Sequence, residues 1–338
     1  MNATNGDIAE LLARAAGEEK DDQRRRALRR ASHAAFHWTV EAADLVARGE
    51  KLTVLPRVGP WIAGEIERLV AEASDGVTPP AIRQGFLTRT QVVHALEERP
   101  LAVRCDLQLH STWSDGHSTL DAMVVAARDA GYEYMLITDH SKGLPIANGM
   151  DEDRLRSQWT AIDAAAAAAS MRVLRGIEMN IDPHGEGDME PDALAGLDVV
   201  LGAFHSALRL KDDQTERYLA ALRNPWVDVL AHPRGRMYNA RVGLTADWPR
   251  VFAEARALDK AVEVDGYPAR QDIDVALLHI AAESGVRISL GSDSHHVVDL
   301  DYLVFARGAA AMAGIPEERI INCMPADELI AWAAQHRT

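Results

Sequence analysis

Asp106-Leu107-Gln108-Leu109-His110-Ser111-Thr112-Trp113-Ser114-Asp115-Gly116 is the stretch on which the reading of this chain of 338 residues turns. A β-strand has a side-chain period of two, so an extended run here places Asp106, Gln108 and His110 on one face and Leu107 and Leu109 on the other. The polar run that follows is a turn by composition, able to carry the Asp115 carboxylate back over the end of that strand. An amide, an imidazole and a carboxylate at one strand end are a weak signal alone. Their weight comes from recurrence downstream.

From residue 101 onward, short β-rich runs alternate with alanine-rich helical ones. Strands are expected at Val103 to Leu109, Tyr134 to Thr138, Arg172 to Ile177, Val199 to Phe204, Val227 to Ala231, Ala261 to Val264 and Val286 to Leu290. A spacing of about 30 residues is what successive β/α units with right-handed crossovers require, and seven of them make an α/β barrel. The alternative is a doubly wound open sheet, which gathers its ligands at one switch point rather than at nearly every strand. Here Thr138-Asp139-His140, Gly176-Ile177-Glu178, Ala203-Phe204-His205, Ala231-His232-Pro233 and Gly291-Ser292-Asp293-Ser294-His295 each end a strand on one or two metal-ligand side chains. A barrel opens its active face at those ends, so Gln108, His110, Asp115, His140, Glu178, His205, His232, Asp293 and His295 are expected to converge.

Composition narrows the chemistry. Cys105 and Cys323 are the only cysteines and lie in no CxxC spacing, which excludes a thiolate zinc site and a disulfide framework. Imidazole, carboxylate and amide donors suit Mn²⁺, Zn²⁺ or Fe²⁺ in catalytic rather than structural sites. Two to three such ions would activate water and neutralise the oxygens of a phosphoryl group in displacement, with Asp115, His140, Glu178, His205 and Asp293 at the centre of that chemistry. Lys142 and Arg270, just beyond the second and sixth strands, are candidates for clamping a phosphate, with structural ion pairing the alternative for each. His33, His37, His94, His279 and His336 fall on expected helices away from the strand ends and are assigned surface or core roles.

The longest apolar run is too short to span a bilayer and the N-terminus carries no basic-then-apolar signal, so a cytoplasmic protein with no membrane partner is expected. Net charge is −15, unevenly distributed. Residues 1–100 hold 14 Lys and Arg against 15 Asp and Glu, leaving 22 against 36 for the rest. An acidic chain does not attract polyphosphate as a whole, so a nucleic-acid partner has to be gripped locally.

The place for such a grip is the N-terminal part. Arg24, Arg25, Arg26, Arg29 and Arg30 cluster on an expected helix. Leu52-Thr53-Val54-Leu55-Pro56-Arg57-Val58-Gly59-Pro60-Trp61-Ile62-Ala63 resembles a helix-hairpin-helix, a module that offers backbone N–H groups to a DNA phosphate. It departs from that motif at Arg57, where a glycine is usual. A linker by composition, Ser74-Asp75-Gly76-Val77-Thr78-Pro79-Pro80, and a short helix from Thr90 to Glu98 follow. The expected division is a helical domain over 1–73, a linker with a short helix over 74–100, and the barrel over 101–338.

Taken in order, DLQLHSTWSDG, TDHSKGL, GIEMNI, FHS, AHPRGR and GSDSH make residues 101–335 resemble a PHP (polymerase and histidinol phosphatase) domain. The resemblance implies a distorted seven-stranded β/α barrel that holds up to three metal ions and hydrolyses phosphate esters. It assigns Gln108, His110, Glu178 and Asp293 to one ion, Asp115, His140 and His295 to a second, and His205, His232 and the other Glu178 oxygen to a third. Gln108 stands where many members have histidine. The first hundred residues resemble the N-terminal helical domain of bacterial family X DNA polymerases, which also end in a PHP domain. Too few residues separate hairpin from barrel for a polymerase palm, so polymerase activity is expected to be absent. The resemblance implies DNA as substrate and a nuclease of the 3′→5′ exonuclease type. A phosphatase acting on a small phosphomonoester, such as histidinol phosphate or a nucleotide, is the alternative.

Overall fold

The computed structural model describes residues 3–72 and 77–337, so Ser74, Asp75 and Gly76 of the expected linker lie outside the described residues. Its first part is helical: α1 (Asn5–Glu18), α2 (Asp22–Ala35), α3 (Ala42–Ala47) and α4 (Pro60–Glu72). Thr4 caps α1 by accepting the Asp7 N–H, and the Asp21 carboxylate caps α2 by accepting the N–H groups of Gln23 and Arg24. Both satisfy donors that a helix start leaves open. Ile8, Leu12, Leu28, Trp38, Leu45, Leu55, Ile62 and Ile66 form one apolar core beneath the helices. In the connection between α3 and α4, Arg57 sits at φ 64°, the left-handed region that glycine enters freely.

The rest of the chain builds the barrel. Its elements are α5 (Arg89–Glu98), α6 (Leu120–Asp129), β1 (Tyr134–Ile137), α7 (Glu152–Ala169), β2 (Arg172–Asn180), α8 (Pro191–Leu194), β3 (Val199–Ala203), α9 (Thr215–Arg223), β4 (Val229–Leu230), α10 (Trp248–Ala257), β5 (Ala261–Asp265), α11 (Val275–Ser284), β6 (Arg287–Gly291), α12 (Leu303–Met312) and α13 (Ala326–Ala334). The strands pair in parallel in chain order, from β1 to β6. Register aligns Tyr134 with Arg172, Gly176 with Val199, Val229 with Ala261 and Ala261 with Arg287. Leu136, Leu174, Val199, Leu201, Val229 and Ala261 meet Leu329 and Trp332 of α13 in one cluster, so α13 plugs the floor of the sheet. The other faces of the strands pack against α6 and α7 on one side and α8 to α12 on the other. Among the described residues no helix is long and apolar enough to cross a membrane.

Six regular strands are present among the described residues where seven were expected. The missing one, Val103 to Leu109, does run between β6 and β1. On the β1 side it accepts the N–H groups of Glu133, Leu136 and Thr138 at Arg104, Asp106 and Leu109. On the β6 side much of the ladder is replaced by side chains: Asp106 Oδ1 accepts the N–H groups of Ser292 (3.1 Å) and of its own neighbour Gln108 (3.2 Å). The buried Asn322 amide donates to the carbonyls of Cys105 (3.1 Å) and Leu290 (2.8 Å) and accepts the Leu290 N–H (2.7 Å).

The expected alternation is interrupted at the same place. Cys105 and Leu107 join the interior cluster above α13, whereas Leu109 joins the outer cluster with α6 and α7. The two leucines therefore do not share a face. An Asp that accepts the N–H two residues ahead bends its own backbone, and the bend re-aims Gln108 and His110 into the mouth.

The helical part docks directly on the barrel. Tyr238 inserts into the N-terminal core, with its ring 5.0 Å edge-on from Phe36 and 5.2 Å from Phe86. Glu10 of α1 is buried and ion-paired to Arg83 (2.7 Å), and Gln271 exchanges two hydrogen bonds with the backbone of Leu87 (2.7 and 2.9 Å). The stretch from residue 81 to 88 is thus a strap held on both sides. Replacing Asn322 with Leu strands three buried backbone groups at the seam between β6 and residue 105. We expect a loss of about 3 kcal/mol or more in urea denaturation, since each unpaired group costs about 1–3 kcal/mol; a loss under about 1 kcal/mol would refute the bridging role.

Candidate metal centre

All nine expected ligands lie at the C-terminal ends of the parallel strands or in the loops that follow. Glu178 of β2 is at the centre and has no solvent exposure. Its Oε1 lies 2.9 Å from Nε2 of both His205 and His232. Its Oε2 accepts from Gln108 Nε2 (3.0 Å) and lies 3.2 Å from His110 Nε2 and 3.7 Å from His140 Nδ1. Asp293 Oδ1 is 3.2 Å from the same His110 nitrogen and 3.8 Å from His295 Nδ1. Asp115 Oδ1 faces His295 Nε2 at 3.4 Å and His140 Nε2 at 3.7 Å. The rings of His140 and His295 each stack on His110, with centroids 4.5 and 4.4 Å away, and lie 6.4 Å from one another.

Three groupings with mutual ligand-atom distances within 4.8 Å result: His110, Asp115, His140 and His295; His140, Glu178 and His205; and His110, Glu178 and Asp293. His140 stands between two of them, with one ring nitrogen toward Asp115 and the other toward Glu178. The donor set fits divalent cations. Gln108 Oε1, both His110 ring nitrogens and His140 Nδ1 are buried without a hydrogen-bond partner, a costly state that a bound cation would relieve.

The backbone supplies the aim. His232 and Asp293 sit at φ 24° and 53°, sharp departures that follow directly on β4 and β6. The loop carrying Asp115 is tied down by the buried Asp139. That carboxylate accepts the N–H (2.8 Å) and hydroxyl (2.7 Å) of Ser111, the N–H (3.1 Å) and hydroxyl (2.5 Å) of Ser114, and Gln158 Nε2 (2.6 Å). Glycine is required at 116, where a β-carbon would lie 2.6 Å from the Ser111 carbonyl. His205 is oriented by Asn180, whose Oδ1 lies 3.2 Å from its Nδ1.

Electrostatics follow from burial and crowding. Burial raises Glu178, yet the imidazoles of His140, His232, His110 and His205 around it hold it well below the usual carboxylate range. Asp293 is likewise held low against burial, chiefly by Arg270 and His110, and Asp115 is held down to about 2 against burial by His295. His110 is raised in spite of burial by Asp293 and Glu178, and His232 and His295 are raised by Glu178 and Asp115 respectively. His140 differs: burial, with His110 and His205 beside it, pushes it down to about 3.

Sequence reasoning missed the floor of the site. Glu263 and Asp265 of β5 are fully buried, and each keeps one oxygen without a hydrogen bond. Glu263 Oε2 accepts the His232 N–H (2.7 Å), and Asp265 Oδ2 is 3.9 Å from Arg270 Nε. Burial and the neighbouring carboxylates raise both well above their usual range. The signal was legible in Ala261-Val262-Glu263-Val264-Asp265, where acids alternate with valines in a buried strand. Arg270 does reach the cluster, with Nε 3.5 Å from Asp293 Oδ2. Lys142 instead pairs with Glu152 (2.7 Å) and is 40% exposed.

Residues 106–267 match the PHP domain family. The chain is 34% identical over 257 residues to the DNA polymerase/3′-5′ exonuclease PolX of Bacillus subtilis (strain 168), covering 75% of this chain but only 45% of that relative, so it spans about half its length. It is 27% identical over 225 residues to a "Probable phosphatase" of Serratia proteamaculans (strain 568), covering 65% of this chain and 90% of that one. Among solved structures, histidinol phosphate phosphatase from Lactococcus lactis, complexed with zinc, L-histidinol and phosphate, covers 63% of this chain and 94% of its own at a TM-score of 0.47 and 18% identity. With the strand order, the imidazole and carboxylate centre, the family match over residues 106–267 and the 34% identity to PolX, the barrel is a PHP domain of the metal-dependent phosphoesterase kind.

Proposed function

We propose that this chain cleaves phosphodiester bonds in DNA, as an end-processing nuclease of the 3′→5′ exonuclease type. The observation that carries the reading is the direct docking of a helix-hairpin-helix-like module onto the rim of a His/Asp/Glu centre, through Tyr238 and the strap at residues 81–88. The 34% identity to a relative named as a polymerase and 3′-5′ exonuclease supports DNA as substrate.

In this reading Gln108, His110, Glu178 and Asp293 hold one divalent ion, Asp115, His140 and His295 a second, and His205, His232 and Glu178 a third. Mn²⁺ or Zn²⁺ is the resident metal, with Fe²⁺ an alternative of the same ligand preference. Bound ions would supply positive charge against the phosphoryl oxygens and acidity to a coordinated water. The chain's own residues do the rest. Arg270 presents a guanidinium beside Asp293, where it can shift to an incoming phosphate oxygen. Glu263 holds the His232 backbone, and Asp139 holds the loop of Asp115, so two ligands on opposite sides of the mouth keep their positions without substrate. The buried carboxyls of Glu263 and Asp265 keep the floor polar but, with raised affinity for protons, do not add full negative charge.

The phosphatase relatives favour a second reading, turnover of a small phosphomonoester, because the one from Serratia proteamaculans is matched across 90% of its own length. The two readings separate on substrate. End-labelled single-stranded, nicked and flapped DNA should be shortened in the presence of Mn²⁺, with His110→Ala lowering the rate by about a hundredfold or more, as loss of a central electrostatic group does. Intact DNA alongside rapid release of phosphate from small monoesters would overturn the nuclease reading.

The ligand reading carries two expectations of its own. His110, His232 and His295 have raised proton affinity, and ligation requires the neutral ring, so metal binding must expel protons and tighten as pH rises. In the metal-free protein the same pairs stabilise the fold below the ordinary histidine value, and that contribution is lost as pH rises through the raised values. Calorimetric titration of Mn²⁺ or Zn²⁺ in buffers of different ionisation enthalpy near pH 6.5 should show net proton release; its absence would count against these histidines as ligands. Asp139→Asn leaves every ligand in place but loosens the Asp115 loop, and should weaken metal affinity by about 10- to 100-fold in the same titration.

A further inference from the structure

The cleft where the helical module meets the barrel is used by nothing described so far. One wall is α2 and the α3–α4 turn, with Arg29, Arg30, His33, His37 and Arg57; the facing wall carries Tyr302, and the space between is 670 Å³. It continues into a recess of 150 Å³ that shares His33, His37 and Tyr302 and adds Tyr267, Pro268 and Ala269. The rings of Tyr267 and Tyr302 meet edge-on at 5.6 Å, and His37 lies 5.6 Å from Tyr302. The Tyr267 carbonyl accepts the Arg270 N–H (2.7 Å), so the recess ends on the turn that holds Arg270 beside Asp293. The cleft and its recess therefore lead from the helical module to the turn that borders the metal centre.

The chemistry of that path is specific. Arg29, Arg30 and Arg57 are exposed and form no ion pair among the described residues, in a chain whose net charge is −15 and whose neighbouring Arg89 is taken up by Asp301. Three free cations converging from a helix and a turn attract a polyanion and little else. The planar rings beside them offer stacking faces, which every base can use. Asp299 lies beside Tyr302 and disfavours a phosphate at that ring, which leaves it for a base. At Gly59 the space of a β-carbon is open, so the hairpin backbone can also be approached closely. A cleft of this volume is of small-ligand size and excludes a duplex.

We propose that the cleft is a track for single-stranded nucleic acid, with phosphates on Arg29, Arg30 and Arg57, a base against Tyr302, and the strand end led past Tyr267 to Arg270 and the metal centre. The inference rests on the nuclease reading above and adds the route of entry and the single-stranded form. Binding is measured by fluorescence anisotropy with labelled oligothymidylate and oligouridylate of about twelve nucleotides and with a duplex of the same length, in EDTA so that no cleavage occurs. The two single strands distinguish deoxyribose from ribose as the sugar recognised.

For the strand that binds, Arg29→Ala/Arg30→Ala/Arg57→Ala should weaken affinity by about tenfold or more and reduce the salt dependence by about two released counterions. Tyr302→Ala should cost about tenfold and Tyr302→Phe less than about twofold, since the ring and not the hydroxyl is used. A control triple change on the barrel exterior, Arg128→Ala/Arg172→Ala/Arg250→Ala, should leave affinity unchanged. Equal losses in the two triple variants, wild-type affinity in the cleft variant, or duplex binding as tight as single-strand binding would each overturn the track. Failure of the nuclease reading shows differently: oligonucleotide bound through the cleft but left intact when Mn²⁺ is supplied.

Discussion

Everything at the mouth of this barrel depends on one buried carboxylate. Glu178 has no contact with solvent, and its two oxygens are shared among His205 and His232 on one side and Gln108, His110 and His140 on the other. A buried charge without compensation is very costly, and here the compensation comes from imidazoles delivered by separate strands. Any shift of β2 against its neighbours would uncouple them. The packing permits little: a β-carbon at Gly176 would lie 2.8 Å from the Ile137 carbonyl, and one at Gly291 would lie 2.8 Å from Gln108 Cβ. The strands approach one another as closely as they do because glycine stands at both positions.

The same centre is assembled at a local cost in regular structure. His232 and Asp293 leave their strands in left-handed conformations, and the segment before His110 gives up part of its ladder so that Gln108 and His110 can turn inward. Such departures persist only where the surroundings over-determine them. Here the surroundings are Glu263 bonded to the His232 N–H, Asp106 bonded to Ser292, and Asn322 bridging the seam below. Each is a buried polar side chain doing what a regular strand neighbour would do elsewhere. Rigidity is thus supplied from beneath the ligands, while the upper side stays open to a phosphoryl group.

The helical module belongs to the same design. It is not tethered at a distance but clasped, by Tyr238 inserted into its core and by the strap between the Glu10–Arg83 and Gln271–Leu87 contacts. Clasping brings the free arginines of α2 and of the α3–α4 turn to the side of the barrel where Arg270 faces Asp293. In an acidic chain, a short basic surface in that place concentrates attraction for an anion where chemistry can follow.

The amino-acid order by itself determined the parallel α/β architecture and pointed to nine strand-end residues that the fold gathers at the barrel mouth, because strand-end placement is a local property that tertiary packing preserves. It also singled out Arg57 in a glycine position, and the backbone there is left-handed. What it could not reveal was decided by contacts between residues far apart in the chain. The first barrel strand lost its regularity because Asn322 takes its backbone at Cys105 and Ser292 bonds the Asp106 carboxylate, partners more than 180 positions away. Lys142 turned to Glu152, whereas Arg270 turned to Asp293, though both follow strands in much the same way. The acids of β5 became the floor of the site only once the sheet had curled, and the cleft lies between parts of the chain that Tyr238 and the strap at residues 81–88 hold together. Periodicity tells which way a side chain points from its own backbone; what it meets there is set by the curvature of the sheet and the docking of the module.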